Sequence, residues 1–254
     1  AGTYASRSMV TTGNLLESAA QELRQKILMV AGLMLSPDGQ IPPERVDTEL
    51  VIADGEISLV RDPTATVTFE AVAQIAHMKN FDFPLPQDLV QAGLESTRYE
   101  QHKTVYSNSS AVAAVEIDPE TAQLSIRRCV IIGDCGRIFD PPTVDSQLIG
   151  GAAMGLGCAL FEDLRYDDDG QILTTSLLDY LVPVSTDMPT FEIGHLETPS
   201  TFSANGTKGM GEGGTMAIPA VLANAVADAL MDKGVLLNRL PLSEENIFQL
   251  MRTG

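Results

Sequence analysis

A lysine and a glutamate four residues apart, Lys208 and Glu212, stand inside a run of five glycines: Gly206, Gly209, Gly211, Gly213 and Gly214. A carboxylate can serve as a base and an ammonium can pair with an anion. Glycine lets backbone approach a bound group closely. A plain surface turn needs only one or two glycines, so this loop reads as a segment built to meet a ligand. The spacing alone does not fix which way either charged side chain points. The apolar helix that follows, TMAIPAVLANAVADAL, is expected to be capped by Thr215 with Pro219 in its first turn. Its free N–H groups and positive dipole end would then face the loop and favour an anionic or electron-rich group.

Two other stretches carry ligand-type chemistry. The opening residues AGTYASRSMV set Thr3, Ser6, Ser8 and Arg7 just before a helical pattern. They read locally either as an ordinary N-cap or as a cradle for a phosphate or polar heterocycle. In IFDPPTVDSQLIGGAAMGLGCAL, Gln147 lies near the start of a helix that contains Gly150, Gly151, Gly155 and Gly157. Each of those glycines costs a helix up to about 1 kcal/mol relative to alanine. Close backbone packing explains that cost, and a glutamine aimed at a ligand edge is compatible with it. His195 is the obvious catalytic guess, but its place in an alternating strand favours a structural hydrogen bond. His77, near a helix end, reads as a dipole partner rather than a ligand. No His, Cys, Asp and Glu cluster has metal spacing, and neither a GxxxxGK[ST] loop nor a G-x-S-x-G elbow occurs. The reading is therefore of a borrowed reactive centre.

KGMGEGGTMAIPAVLANAVADAL resembles the C-terminal active-site segment of the molybdenum subunit in the xanthine dehydrogenase, aldehyde oxidase and carbon monoxide dehydrogenase family. GTYASRS resembles the Gly-Thr-x-x-Ser-Arg-Ser segment with which that family holds its pyranopterin. DSQLIGG resembles its Asp-x-Gln-x-x-Gly-(Gly/Ala) pattern, and HLETPS its His-x-Glu-Thr-Pro-Ser strand end. The resemblance implies that Glu212 is the general base. It implies that Gly2, Thr3, Ala5, Ser6, Arg7, Ser8, Gln147, Lys208, Gly209 and Gly211 contact the cofactor, and that no side chain ligates metal. The implied cofactor is a molybdenum–pterin, as molybdopterin or its dinucleotide form. The implied activity is hydroxylation, with water, of an N-heteroaromatic or aldehyde substrate. Electrons would pass to Fe–S clusters and FAD on partner subunits. Burial of Glu212 beside the glycines would raise its proton affinity.

The family subunit is much longer, and its Gly-Gly-x-Phe-Gly segment is missing from this sequence. The chain therefore reads as the C-terminal part of a split subunit, as in nicotinate dehydrogenase-like enzymes, or as a fragment of a whole one. The partners would be an N-terminal molybdenum subunit, a 2Fe–2S subunit and an FAD subunit. A catalytically silent anion-binding or assembly subunit is the alternative.

The rest of the chain supplies a scaffold. Its 254 residues are 44% hydrophobic, enough for a core, and can form one region over 1–254 with subdomains at 1–100 and 101–254. A net charge of −18 argues against nucleic acid or an anionic membrane surface. Cys129, Cys135 and Cys158 lack CxxC spacing and suit buried thiols in a reducing compartment. With no apolar run of membrane length and no leader, a soluble cytoplasmic protein is expected. Leu16, Ala20, Leu23, Ile27, Ala31 and Met34 predict an amphipathic helix over 12–35. ELVIADGEISLV predicts a hairpin turning at Asp54-Gly55. The residues from Thr104 to Gly136 predict a long antiparallel hairpin. The segment resembles the family's strand pair whose upstream part lies near the substrate funnel, which implies that Tyr106 and Asn108 approach the site; a core or edge role is the alternative. YDDDGQ reads as a turn with solvated aspartates. The expected fold class is α+β: mixed, largely antiparallel sheets with packed helices, forming the C-terminal half of a molybdopterin-binding domain.

Overall fold

The computed structural model describes residues 4–36, 41–78, 85, 87, 93–99 and 104–253. Gly2 and Thr3 lie outside them. The chain divides into two compact units, one of residues 11–102 and one of residues 1–10 together with 103–254.

The boundary between the units falls within a π-helical turn (Ser8–Gly13), which runs into helix α1 (Asn14–Leu35) of the unit of residues 11–102. Of the predicted stripe only Ala31 is buried, Leu23, Ile27 and Met34 are half-buried, and Leu16 is 68% exposed; the fully buried Leu28 and Val30 lie outside it. Strands β1 (Leu50–Ala53), β2 (Glu56–Leu59) and β3 (Asp62–Thr68) form an antiparallel sheet in that order. Asp54 and Gly55 both take left-handed φ, 50° and 82°, as a two-residue hairpin turn with the strands' own twist requires. β3 was not expected, because DPTATVT lacks the large alternating apolar residues that mark a strand. A single turn, α2 (Val46–Glu49), precedes the sheet. The Thr68 hydroxyl accepts the Ala71 amide at 3.1 Å, capping α3 (Phe69–Met78) as read. His77 lies in the last turn of α3. Leu28, Val46, Ile57 and Val72 are fully buried. Each stabilises the unit by about 1.5–3 kcal/mol.

The second unit is built on β4 (Asn108–Ile117), β5 (Leu124–Asp134) and β6 (Phe191–Leu196), in that order. β4 and β5 are antiparallel, whereas β6 pairs parallel to β5, which makes this sheet mixed. Helices α4 (Pro141–Leu160) and α5 (Gly213–Ala229) cover its inner face. Ile131, Leu148, Leu156, Ile218, Leu222 and Ile247 form the fully buried centre. The Ser243 hydroxyl accepts the Asn246 amide at 3.2 Å to open α6 (Glu244–Thr253). The α+β expectation holds, and among the described residues parallel pairing is confined to β5 and β6.

The α4 glycines separate into two kinds. A Cβ on Gly155 would lie 2.9 Å from the Thr215 carbonyl oxygen, and one on Gly214 in α5 would lie 2.2 Å from the Leu148 carbonyl oxygen. At these positions only glycine allows the two helix backbones to cross so closely. Gly150 faces open space, so packing within this chain does not account for it.

The start of α5 differs from the sequence reading. The helix begins at Gly213 rather than after Thr215, which places Pro219 beyond the first turn. Thr215 does not cap it, because its hydroxyl donates to the Gly151 carbonyl at 3.1 Å and joins α5 to α4. Among the described residues, no helix is long and apolar enough to cross a membrane. Cys129 and Cys135 are buried, and Cys158 is half-buried.

Candidate functional site

The glycine loop rests on a buried polar platform. Asn205 Oδ1 accepts from the Ser203 hydroxyl at 2.7 Å, the Thr207 amide at 3.1 Å and the Thr207 hydroxyl at 2.7 Å. Gly206, at φ 77°, presents its carbonyl to the amides of Arg137 and Ser200, both at 3.1 Å. The next residue, Thr207, bridges to Gly136, where a Cβ would stand 2.2 Å from the Gly206 oxygen.

Lys208 turns inward. Its Nζ lies 3.3 Å from Asp134 Oδ2, and its side chain is only 9% exposed. Asp134 Oδ1 also accepts the amides of Gly136 at 3.0 Å and Thr198 at 3.1 Å. Burial pushes the Asp134 carboxyl up, but these amide bonds, with Thr198 and Lys208, outweigh it and hold the group below its ordinary range. Lys208 therefore anchors the loop to the end of β5, and its ammonium is not spent on Glu212.

From this platform, Gly209 to Glu212 project toward two remote segments. The Met210 amide donates to the Ser6 hydroxyl oxygen at 3.3 Å, and a Cβ on Gly209 would lie 3.2 Å from that oxygen. A Cβ on Gly211 would lie 3.9 Å from Gln147 Oε1. The opening segment, the start of α4 and the glycine loop thus meet within one unit. The Ser109 hydroxyl, on β4, donates to the Gly213 carbonyl at 2.9 Å and fixes the loop's far end. Asn108, beside it, is exposed, and Tyr106 is 78% exposed.

The opening turn is strained. Ala5 and Ser6 take φ of 53° and 56°, a left-handed conformation unusual for residues with a side chain. The amides of Met9 and Val10 hold it by donating to the Ser6 carbonyl at 3.2 and 3.0 Å. Arg7 lies with its guanidinium 4.2 Å above the Tyr4 ring, and its Nε–H is buried without a partner among the described residues. Ser8 is exposed.

Glu212 sits at the N-cap of α5 with its side chain exposed and making no capping bond. This chain alone therefore does not supply the expected burial. The carboxylate belongs to the N-cap residue and so stands at the positive end of the helix dipole. Among the described residues, no group of three or more His, Cys, Asp or Glu is placed to hold a metal ion.

His195 Nε2 lies 2.6 Å from Asp145 Oδ1, a structural bond of the kind its strand position predicted. Asp134, Ser109 and Met210 were not singled out from the sequence. Each acts through a partner remote in the chain, and no local pattern signals such a partner.

The orphaned Arg7 Nε–H, the Ser6 hydroxyl, the exposed Gln147 amide and the side-chain-free edge at Gly209 and Gly211 suit a polar heterocycle that carries anionic groups. The sequence matches the family described as "Molybdopterin cofactor-binding domain" over residues 1–189. The chain belongs to that family.

Relatives agree with this placement. The large subunit of nicotine 6-hydroxylase from Paenarthrobacter nicotinovorans is 36% identical over 97% of this chain, which covers 29% of that subunit. The carbon monoxide dehydrogenase large chain of Afipia carboxidovorans is 27% identical over 90% of this chain and 27% of its own. The crystal structure of quinoline 2-oxidoreductase from Pseudomonas putida 86 superposes with a TM-score of 0.82 at 34% identity, covering 99% of this chain and 31% of that one. The chain thus spans about a third of the length of these relatives. The family resemblance read from the motifs, and the molybdenum–pterin it implied, agree with these matches.

Proposed function

We propose that this chain is the C-terminal part of the molybdenum subunit of a hydroxylase, with Glu212 as its base. The observation that supports this most is the meeting of Ser6, Gln147 and the Gly209–Glu212 loop in one unit. Such convergence gains nothing for a plain turn and much for a shared ligand.

When bound, the molybdenum–pterin supplies the two-electron redox chemistry that these side chains lack. Ser6, Ser8 and Arg7 hold its anionic and polar edge, Gln147 takes a hydrogen-bonding edge, and Gly209 and Gly211 let the backbone approach it. Gly2, Thr3 and Ala5 complete that segment. Lys208 acts from below, by holding the loop against Asp134. Glu212 accepts a proton on a carboxylate oxygen during attack by water. The surface that excludes bulk water from it comes from the rest of the subunit and the cofactor.

The substrate class is an N-heteroaromatic, a choice supported by the names nicotine 6-hydroxylase and quinoline 2-oxidoreductase. Partners are an N-terminal molybdenum polypeptide, a 2Fe–2S subunit and an FAD subunit in the cytoplasm. A relative named as subunit gamma of a 6-hydroxypseudooxynicotine dehydrogenase complex supports a multi-subunit assembly.

Glu212→Gln in the natively assembled protein tests the role of the base. Turnover should fall by about 10²-fold or more, the low end of a general base's contribution, with molybdenum per chain unchanged. Retention of a tenth of wild-type turnover rejects Glu212 as the base.

A further inference from the structure

We infer that Asp145 and His195 form a positioning pair that sets where Gln147 stands. The inference rests on the proposed function, because its purpose is to present Gln147 to the cofactor.

Asp145 lies in the second turn of α4, two residues before Gln147. Two helical residues span about 200°, so the two side chains leave opposite sides of the helix. Asp145 is half-buried and reaches the sheet, where its Oδ1 meets His195 Nε2 at 2.6 Å. A carboxylate only accepts, so Nε2 carries the proton. On the other side, Gln147 is exposed, with its Oε1 facing Gly211. Pinning one side of the turn fixes the direction of the other.

This part of α4 needs such a pin. Asp140, the N-cap, makes no capping bond to the helix backbone, and Gly150 and Gly151 follow soon after Gln147. The helix thus begins without a cap and is weakened just beyond the ligand-facing residue. Leu148 is fully buried and anchors the turn in depth, packing where Gly133 leaves room beside Met210. Leu148 and the Gly151 carbonyl, which accepts the Thr215 hydroxyl, hold this turn from the α5 side. The directed hydrogen bond at Asp145 adds a fixed point on the side of β6.

The strand side is prepared for the same contact. His195 pairs in register with Gly133, against which Leu148 of the same helix packs. The imidazole is 24% exposed; its Nδ1 is buried without a partner among the described residues, and its Nε2 bonds Asp145. Two motifs 50 residues apart, DSQLIGG and HLETPS, are joined through it.

The test compares His195→Leu with His195→Gln, whose amide can still donate to Asp145, in the natively assembled protein. Hydrogen exchange is read by mass spectrometry over residues 143–150 and over α5, and molybdenum is counted per chain. His195→Leu should speed exchange over 143–150 about tenfold, leave α5 protected, and lower molybdenum per chain at least threefold. His195→Gln should restore both to within twofold. Unchanged exchange over 143–150 in His195→Leu overturns the pair as a clamp. Faster exchange with full molybdenum retained overturns its role in presenting Gln147. Equal loss of protection in α5 assigns His195 to general stability and also overturns it. Absence of molybdenum from the wild type counts against the proposed function instead, and exchange over 143–150 still decides the clamp.

Discussion

Lys208 and Asp134, 3.3 Å apart beneath the glycine loop, form an ion pair whose side chains are 9% and 11% exposed. The pair settles the direction that spacing left open: Lys208 points down and Glu212 points out.

Breaking this pair should be asymmetric. Asp134→Asn leaves the Lys208 ammonium buried without its counter-charge and should cost about 3 kcal/mol. Lys208→Met leaves Asp134 still accepting the amides of Gly136 and Thr198. It should cost about 1 kcal/mol. Urea midpoints at unchanged slope measure both, and equal costs would contradict the assignment of those amides to Asp134.

The pair also carries a pH dependence. The folded Asp134 carboxyl is held below its ordinary value of 3.8. Its contribution is therefore complete above that value and is lost as pH falls through the lowered folded one. The stability gap between wild type and Asp134→Asn should narrow between about pH 5 and pH 2. A gap that widens on acidification would show the opposite shift.

The glycines of the helix crossing make a paired prediction. Gly214→Ala places a Cβ 2.2 Å from the Leu148 carbonyl oxygen and 2.6 Å from the Ala152 nitrogen, neither of which can move without its helix. It should cost 3 kcal/mol or more, at about the upper end of overpacking. Gly150→Ala meets nothing within 4 Å in mid-helix. It should stabilise by about 0.5–1 kcal/mol. Thermal melting of the two variants reads the difference in sign.

Removing the Ser6 hydroxyl tests the link between the opening turn and the loop. Ser6→Ala loses the bond from the Met210 amide and should destabilise by about 1 kcal/mol. It should also lower cofactor retention. Full retention at unchanged stability would place the ligand elsewhere.

Much of this architecture is legible in the sequence because it is local. Asp54-Gly55 announces its hairpin through turn chemistry, and Thr68 announces a helix start through capping. The residue types of the site are legible too, since glycines clustered around Glu212 are unusual whatever the fold. What the sequence hides depends on tertiary partners. β3 is a strand because β2 offers it a pairing edge, not because DPTATVT favours one. α5 starts early because Gly214 can lie against Leu148, which outweighs the low helix propensity of two glycines. Thr215 looks like a cap until the Gly151 carbonyl comes within reach. Asp134 ends a strand 74 residues before Lys208, and nothing nearby foretells their pairing.

The most direct measurement is molybdenum per copy of this chain, by elemental mass spectrometry on protein purified natively with its accompanying subunits. A value near one is expected, about the stoichiometry of a single bound cofactor. No molybdenum with those subunits present would contradict it and leave the glycine loop as an assembly or anion-binding surface.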